Sequence, residues 1–143
     1  MTILPERLKT LHSQTSDRVA VILQFAGKED IPLTYSELLR GADAFARTLV
    51  REKVQPGEVV VLILQHSEEL VYSFWGAILH GAIPSIMPFL TEKLSPERYR
   101  ADLSSLISVT KPSAIVTYPE FEADVRGALN EGDSVRAVMV TNQ

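Results

Sequence analysis

The side chains best suited to proton transfer or metal ligation in this 143-residue chain are three histidines, His12, His66 and His80. None has a second histidine or a carboxylate partner at metal-ligand spacing. His66 opens the run His66-Ser67-Glu68-Glu69, which sets an imidazole, a hydroxyl and two carboxylates side by side. The same run reads more simply as a strand end, a helix N-cap and two first-turn acids at the positive end of a helix dipole. His80 precedes Gly81 at a helix C-terminus, where an imidazole is favoured electrostatically. The acid pairs Glu68-Glu69 and Glu29-Asp30 read as solvated neighbours. Phe74 and Trp75 fall on a core stripe, where packing is preferred over ligand stacking. Lys93, Arg98 and Arg100 make a mildly basic helix face.

Other chemistries are excluded by what is missing from the sequence. There is no cysteine, hence no disulfide, thiolate metal site or cysteine nucleophile. The seven glycines build neither GxGxxG nor GxxxxGK[ST], so no strand-to-helix turn can bring backbone amides onto a phosphate in the Rossmann or Walker manner. No GxSxG elbow is present. Net charge is -4, with 14 basic and 18 acidic residues, and offers no attraction to nucleic acid or to an anionic membrane. The first residues lack the basic and apolar regions of a signal peptide, and no apolar run is long enough to span a bilayer. The cytoplasm is the expected compartment.

The elements that would position these residues alternate along the chain. Leu4, Leu8 and Leu11 predict a first helix, with Pro5 in its first turn. Residues 19–33 read as a β-hairpin, with Pro32 placing its second strand at an edge. Thr34-Tyr35-Ser36-Glu37 is a capping box that opens a long amphipathic helix. An apolar strand over 59–64 follows, of the kind buried on both faces of a parallel sheet. Ser67 then caps a helix that stops at Gly81. A strand over 83–87 contains Pro84, which moves it toward an edge or an irregular start. After a loop over 91–94, Ser95-Pro96-Glu97 starts another helix, and a strand over 114–116, a helix over 119–129 and a strand over 135–140 complete the chain.

With 45% apolar residues the chain can bury a real core. Alternation with short connections predicts an α/β fold: a mostly parallel sheet flanked by helices, preceded by the hairpin. Leu39, Phe45, Val61, Phe74, Trp75 and Leu106 are expected to be largely buried. A sheet ending in a strand with no following helix suggests a piece of something longer, with self-association through 135–140 expected of the isolated chain.

Two stretches carry a family resemblance. One is Leu33-Thr34-Tyr35-Ser36-Glu37-Leu38, followed by Ala42, Ala46 and Leu49. The other is Val54-Gln55-Pro56-Gly57-Glu58-Val59-Val60-Val61, continuing through Phe74-Trp75-Gly76-Ala77-Ile78-Leu79-His80-Gly81-Ala82-Ile83-Pro84. In order and spacing they resemble the "TYxEL", "GDxV" and "GAxxxP" pieces of the N-terminal segment of the acyl-adenylate-forming superfamily, over about residues 19 to 128. Glu58 replaces the usual aspartate, and His66 stands where the family often has asparagine. Residues 87–108 look closer to the acyl-CoA synthetases and fatty-acyl-AMP ligases than to peptide-synthetase domains.

This resemblance implies a partial N-terminal subdomain, residues 1–143, of a larger adenylating fold. The whole enzyme would use ATP and Mg²⁺ to turn a carboxylic acid, expected to be fatty, into an acyl-adenylate for transfer to CoA or a carrier-protein thiol. Its phosphate loop, its aromatic–Thr–Glu motif and its catalytic lysine have no counterpart here, so no catalytic, cofactor-binding or metal-binding residue carries over. The chain alone is expected to be inactive, with the remainder of the enzyme as its partner. The competing expectation is a free-standing, non-catalytic α/β binding or interaction module.

Overall fold

The computed structural model describes residues 3–91 and 93–142. Helix α1 (Leu4–Thr15) starts where the Glu6 carboxylate accepts the Ile3 N–H, and it buries Leu8. Strands β1 (Val19–Leu23) and β2 (Ile31–Thr34) pair antiparallel as the expected hairpin, with a register shift between Val19 and Val21. Helix α2 (Tyr35–Arg51) opens on the capping box: Glu37 N–H donates to Thr34 Oγ1 at 3.2 Å, and Thr34 N–H donates to the Glu37 carboxylate at 2.8 Å. Those two bonds satisfy donors that a bare helix end would leave open.

The second sheet has four parallel strands: β3 (Val59–Leu62), β4 (Ile83–Ile86), β5 (Ala114–Thr117) and β6 (Ala137–Val140). Their spatial order is β4-β3-β5-β6. Helix α3 (Glu68–His80) joins β3 to β4, α4 (Pro96–Thr110) joins β4 to β5, and a 3-10 turn (Pro119–Phe121) plus α5 (Glu122–Ala128) joins β5 to β6. The first crossover runs one way along the sheet and the other two run back. Right-handed crossovers therefore put α3 on one face and α4 with α5 on the other. Pro84 sits in edge strand β4, where its missing N–H costs no ladder bond.

The core lies between these layers. Val60, Val61 and Leu62 of β3, Ala114 and Ile115 of β5, Leu103 of α4 and Val125 of α5 have no exposed surface. On the other face α2 and α3 approach closely. A Cβ on Gly76 would meet the Ala42 carbonyl at 2.6 Å, and one on Gly41 would meet the Tyr72 ring at 2.4 Å. Gly81 ends α3 at φ 88°, a left-handed turn that a side chain would strain.

The expected core positions are covered to different degrees: Val61 has no exposed surface, whereas Leu39, Phe45, Phe74, Trp75 and Leu106 are mostly covered but keep some exposed surface. Helical periodicity finds the apolar side of a helix; how far that side is covered depends on the neighbour laid over it. The boundaries also tighten: the helix expected over 119–129 begins as a 3-10 turn, and the last strand starts at Ala137. Strand β6 lies at the sheet edge, half-buried on both faces. The loop expected over 91–94 includes Glu92, which lies outside the described residues.

Candidate functional site

In an open α/β sheet the natural ligand crevice lies outside the carboxyl ends of the strands, where connections leave in opposite directions. Here that switch falls between β3 and β5. Strand β3 continues past Leu62 through Ile63, whose N–H donates to Val116 O at 2.8 Å, to buried Leu64 and then Gln65 and His66. From β4, Met87 N–H reaches Leu62 O at 3.0 Å. Strand β5 ends at Thr117 and Tyr118, and Thr141 N–H donates to Thr117 O at 2.9 Å.

This edge offers hydroxyls, an amide and an imidazole. Thr117 is fully buried, and its Oγ1 has no hydrogen-bond partner among the described residues. An unpaired buried hydroxyl is costly in a sheet that otherwise satisfies its polar groups, and such costs gather at functional sites. Tyr99, from α4, donates its hydroxyl to Pro88 O at 2.6 Å and packs edge-on against Phe121 with ring centres 5.1 Å apart. Burial, reinforced by Tyr118 and Asp124, pushes the Tyr99 phenol far above its ordinary range, so it stays protonated and holds the loop after β4 in place. Burial also raises the Tyr118 phenol.

Several other sequence-flagged residues make contacts that hold the fold together. His66 Nε2 lies 3.1 Å from Gln24 O, and its ring packs against Phe25 at 4.9 Å, tying the hairpin to the sheet. Ser67 Oγ accepts the Leu70 N–H at 3.3 Å as a helix cap. Burial, with Glu68 adding, raises the neighbouring Glu69 carboxyl. His80 Nε2 lies 2.7 Å from Val54 O. Arg100 pairs with Asp124 at 2.8 Å, which removes one charge from the basic face.

Glu58, the motif acid, stands at the opposite, amino edge of the sheet. Its carboxylate accepts the Gln55 N–H at 2.8 Å and both terminal nitrogens of Arg136 at 2.6 and 3.0 Å. The Arg136 guanidinium first, and the Gln55 N–H second, hold this carboxyl down at about 2. The acid in this motif therefore clasps the turn before β3 to the start of β6.

The carboxyl edge carries no lysine or arginine on the residues that directly follow its strands. Among the described residues no group of three or more His, Asp or Glu is placed to hold a metal ion. The residues present thus do not fit Mg²⁺ or a nucleotide triphosphate, whose charge needs cationic or amide support. Thr117 and Tyr118 escaped notice in the sequence, where Ala-Ile-Val-Thr-Tyr reads only as a strand; a hydroxyl ending an apolar run was the available signal.

A parallel sheet with a switch point, helices on both faces and a leading hairpin defines the class as an α/β fold. The chain belongs to the AMP-binding enzyme family, which it matches over residues 9–142. It is 30% identical over 129 residues to a dimodular nonribosomal peptide synthase of Bacillus subtilis (strain 168), covering 90% of this chain and 5% of that protein. It is 34% identical over 94 residues to 4-coumarate–CoA ligase 3 of Arabidopsis thaliana, covering 65% of this chain and 16% of that one. Its fold is similar to the inhibitor-bound N-terminal domain of FACL13 from Mycobacterium tuberculosis, with TM-score 0.76, 17% identity, and coverage of 99% of this chain and 34% of that one. The chain thus spans a small part of the curated relatives it matches. Among the described residues no helix is long and apolar enough to cross a membrane.

Proposed function

We propose that residues 1–143 form a partial N-terminal subdomain of an adenylate-forming ligase that activates a carboxylic acid with ATP and Mg²⁺, then passes the acyl group to CoA or a carrier-protein thiol. The observation that carries this reading is the family match across residues 9–142, laid on a sheet whose switch-point edge is polar yet lacks cations. Such an edge supports a crevice while leaving phosphate handling to the rest of the enzyme. The acid is proposed to be fatty, from the character of residues 87–108 alone; the relatives act on differing acids by their names. A cytoplasmic setting accompanies this reading.

No residue of this chain is assigned a catalytic, nucleotide-binding or metal-binding role, and the chain alone is inactive. The test is carboxylate-dependent exchange of pyrophosphate into ATP. The purified 143-residue chain should show none across a panel of acids, whereas a polypeptide continuing past residue 143 into a glycine-rich loop should show it. Exchange by the short chain would overturn the proposal.

The open outer edge of β6 makes self-association part of the same reading, since an unpaired, apolar strand pairs readily with another copy. Light scattering should show mass rising with concentration, and Val138→Lys should abolish the rise. A chain that stays monomeric at high concentration removes this part of the proposal.

A further inference from the structure

Two cationic side chains with no assigned role lie away from the sheet, where α1 crosses α2. Lys9 and His12, one turn apart on α1, and Ser36 and Arg40, one turn apart on α2, border a groove of about 380 Å³. That size lies within the roughly 300–1,000 Å³ of small-molecule sites. Its apolar wall comes from Leu39 and Ala46 of α2 and Leu79 of α3, all half-buried. Leu39 was expected in the core; its open side faces this groove.

Neither Lys9 nor Arg40 belongs to any of the ion pairs found among the described residues, although Arg40 is near enough to help lower the Glu37 carboxyl, after its bonds to Thr34. Asp43 also borders the groove, but it is held by Arg47 at 2.8 Å. Glu37, one turn before Arg40, has its carboxylate on the Thr34 N–H at 2.8 Å and the Thr34 hydroxyl at 3.1 Å. On a chain of net charge -4, two cations outside any ion pair, beside an apolar wall, are a local reversal of sign. We infer that this groove binds a compact amphiphilic monoanion. Its negative head lies between Lys9 and Arg40, with Ser36 and His12 as neutral hydrogen-bonding groups, and its apolar body rests on Leu39, Ala46 and Leu79.

The probe is sodium octanoate, titrated into the isotope-labelled chain and followed by amide chemical shifts. Shifts should centre on Lys9, His12, Ser36, Leu39 and Arg40. Octanol lacks the charge and inorganic phosphate lacks the apolar body; each should bind at least about tenfold more weakly, because either half alone forfeits part of the binding energy. The double variant Lys9→Ala/Arg40→Ala changes two exposed side chains, so its spectrum should stay dispersed while octanoate affinity falls about tenfold or more. Leu39→Glu, a second variant, should also abolish binding by placing a like charge beside the head. Unchanged affinity in the double variant, octanol binding as tightly as octanoate, or shifts centred on Phe74, Trp75 and Ile86 instead would overturn the inference.

Discussion

The two edges of the parallel sheet are built from the same strands and are finished differently. At the amino edge, backbone bonds and an ion pair join the strands. Gly57 N–H donates to Gly81 O at 2.8 Å, Ser113 N–H to Val59 O at 2.9 Å and Arg136 N–H to Ser113 O at 2.8 Å, and the Glu58–Arg136 pair clasps the outside. At the carboxyl edge backbone bonds also join the strands, Ile63 N–H to Val116 O at 2.8 Å and Thr141 N–H to Thr117 O at 2.9 Å, but Thr117 Oγ1 is left without a partner among the described residues, and one tyrosine hydroxyl holds the loop after β4. The difference lies in side chains: the amino edge is clasped by an ion pair, whereas the carboxyl edge keeps one unsatisfied buried hydroxyl.

The severest test of this contrast acts on the strands both edges share. Ile115, in the middle of β5, has no exposed surface. Ile115→Ala should cost about 2–5 kcal/mol in urea unfolding, from lost burial plus the cavity left behind. A much smaller loss would mean that β5 is loosely packed, and that neither edge rests on a rigid frame.

Next in size is the amino-edge clasp. Glu58→Gln should cost about 1 kcal/mol at neutral pH, because the pair is partly exposed and screened. Its pH dependence has a fixed sign. The Glu58 carboxyl is lowered from its ordinary value of 4.5 to about 2, so its contribution is complete above 4.5 and fades as pH falls toward 2. Acid titrations of wild type and Glu58→Gln should therefore converge across that window. Parallel curves would show that the clasp contributes nothing.

The smallest effect should have the opposite sign. Thr117→Val replaces an unpartnered buried hydroxyl with a methyl of similar shape, and should stabilise the chain by up to about 1 kcal/mol. Destabilisation would show that Oγ1 is satisfied in solution, and the contrast between the edges would shrink accordingly.

Features fixed by local chemistry were legible in the sequence. Thr34 with Glu37, Ser67 and Ser95 each cap the helix their types predict, Gly81 takes the left-handed turn, and Pro84 lies on an edge strand. Features that depend on which elements become neighbours were not. Leu39 and Trp75 have the spacing of core residues, yet their cover is set by α1, α3 and the hairpin. The Glu58–Arg136 pair joins positions 78 residues apart and has no local signature. The groove between α1 and α2 is invisible for the same reason: Lys9 and Arg40 become neighbours only after the two helices cross.

The position of β3 between β4 and β5 also sets the timetable of synthesis. Val60 pairs with Ala114, so the central partnership of the sheet waits for 54 further residues. At about 5–20 residues per second, an apolar strand whose middle residues end fully buried spends roughly 3–10 s without its inner partner. During that interval α1, the hairpin, the α2–α3 pair, edge strand β4 and, toward its end, α4 are available to cover it. The close helix contact at Gly41 and Gly76 therefore bears on whether a nascent chain reaches its fold before it meets another like itself.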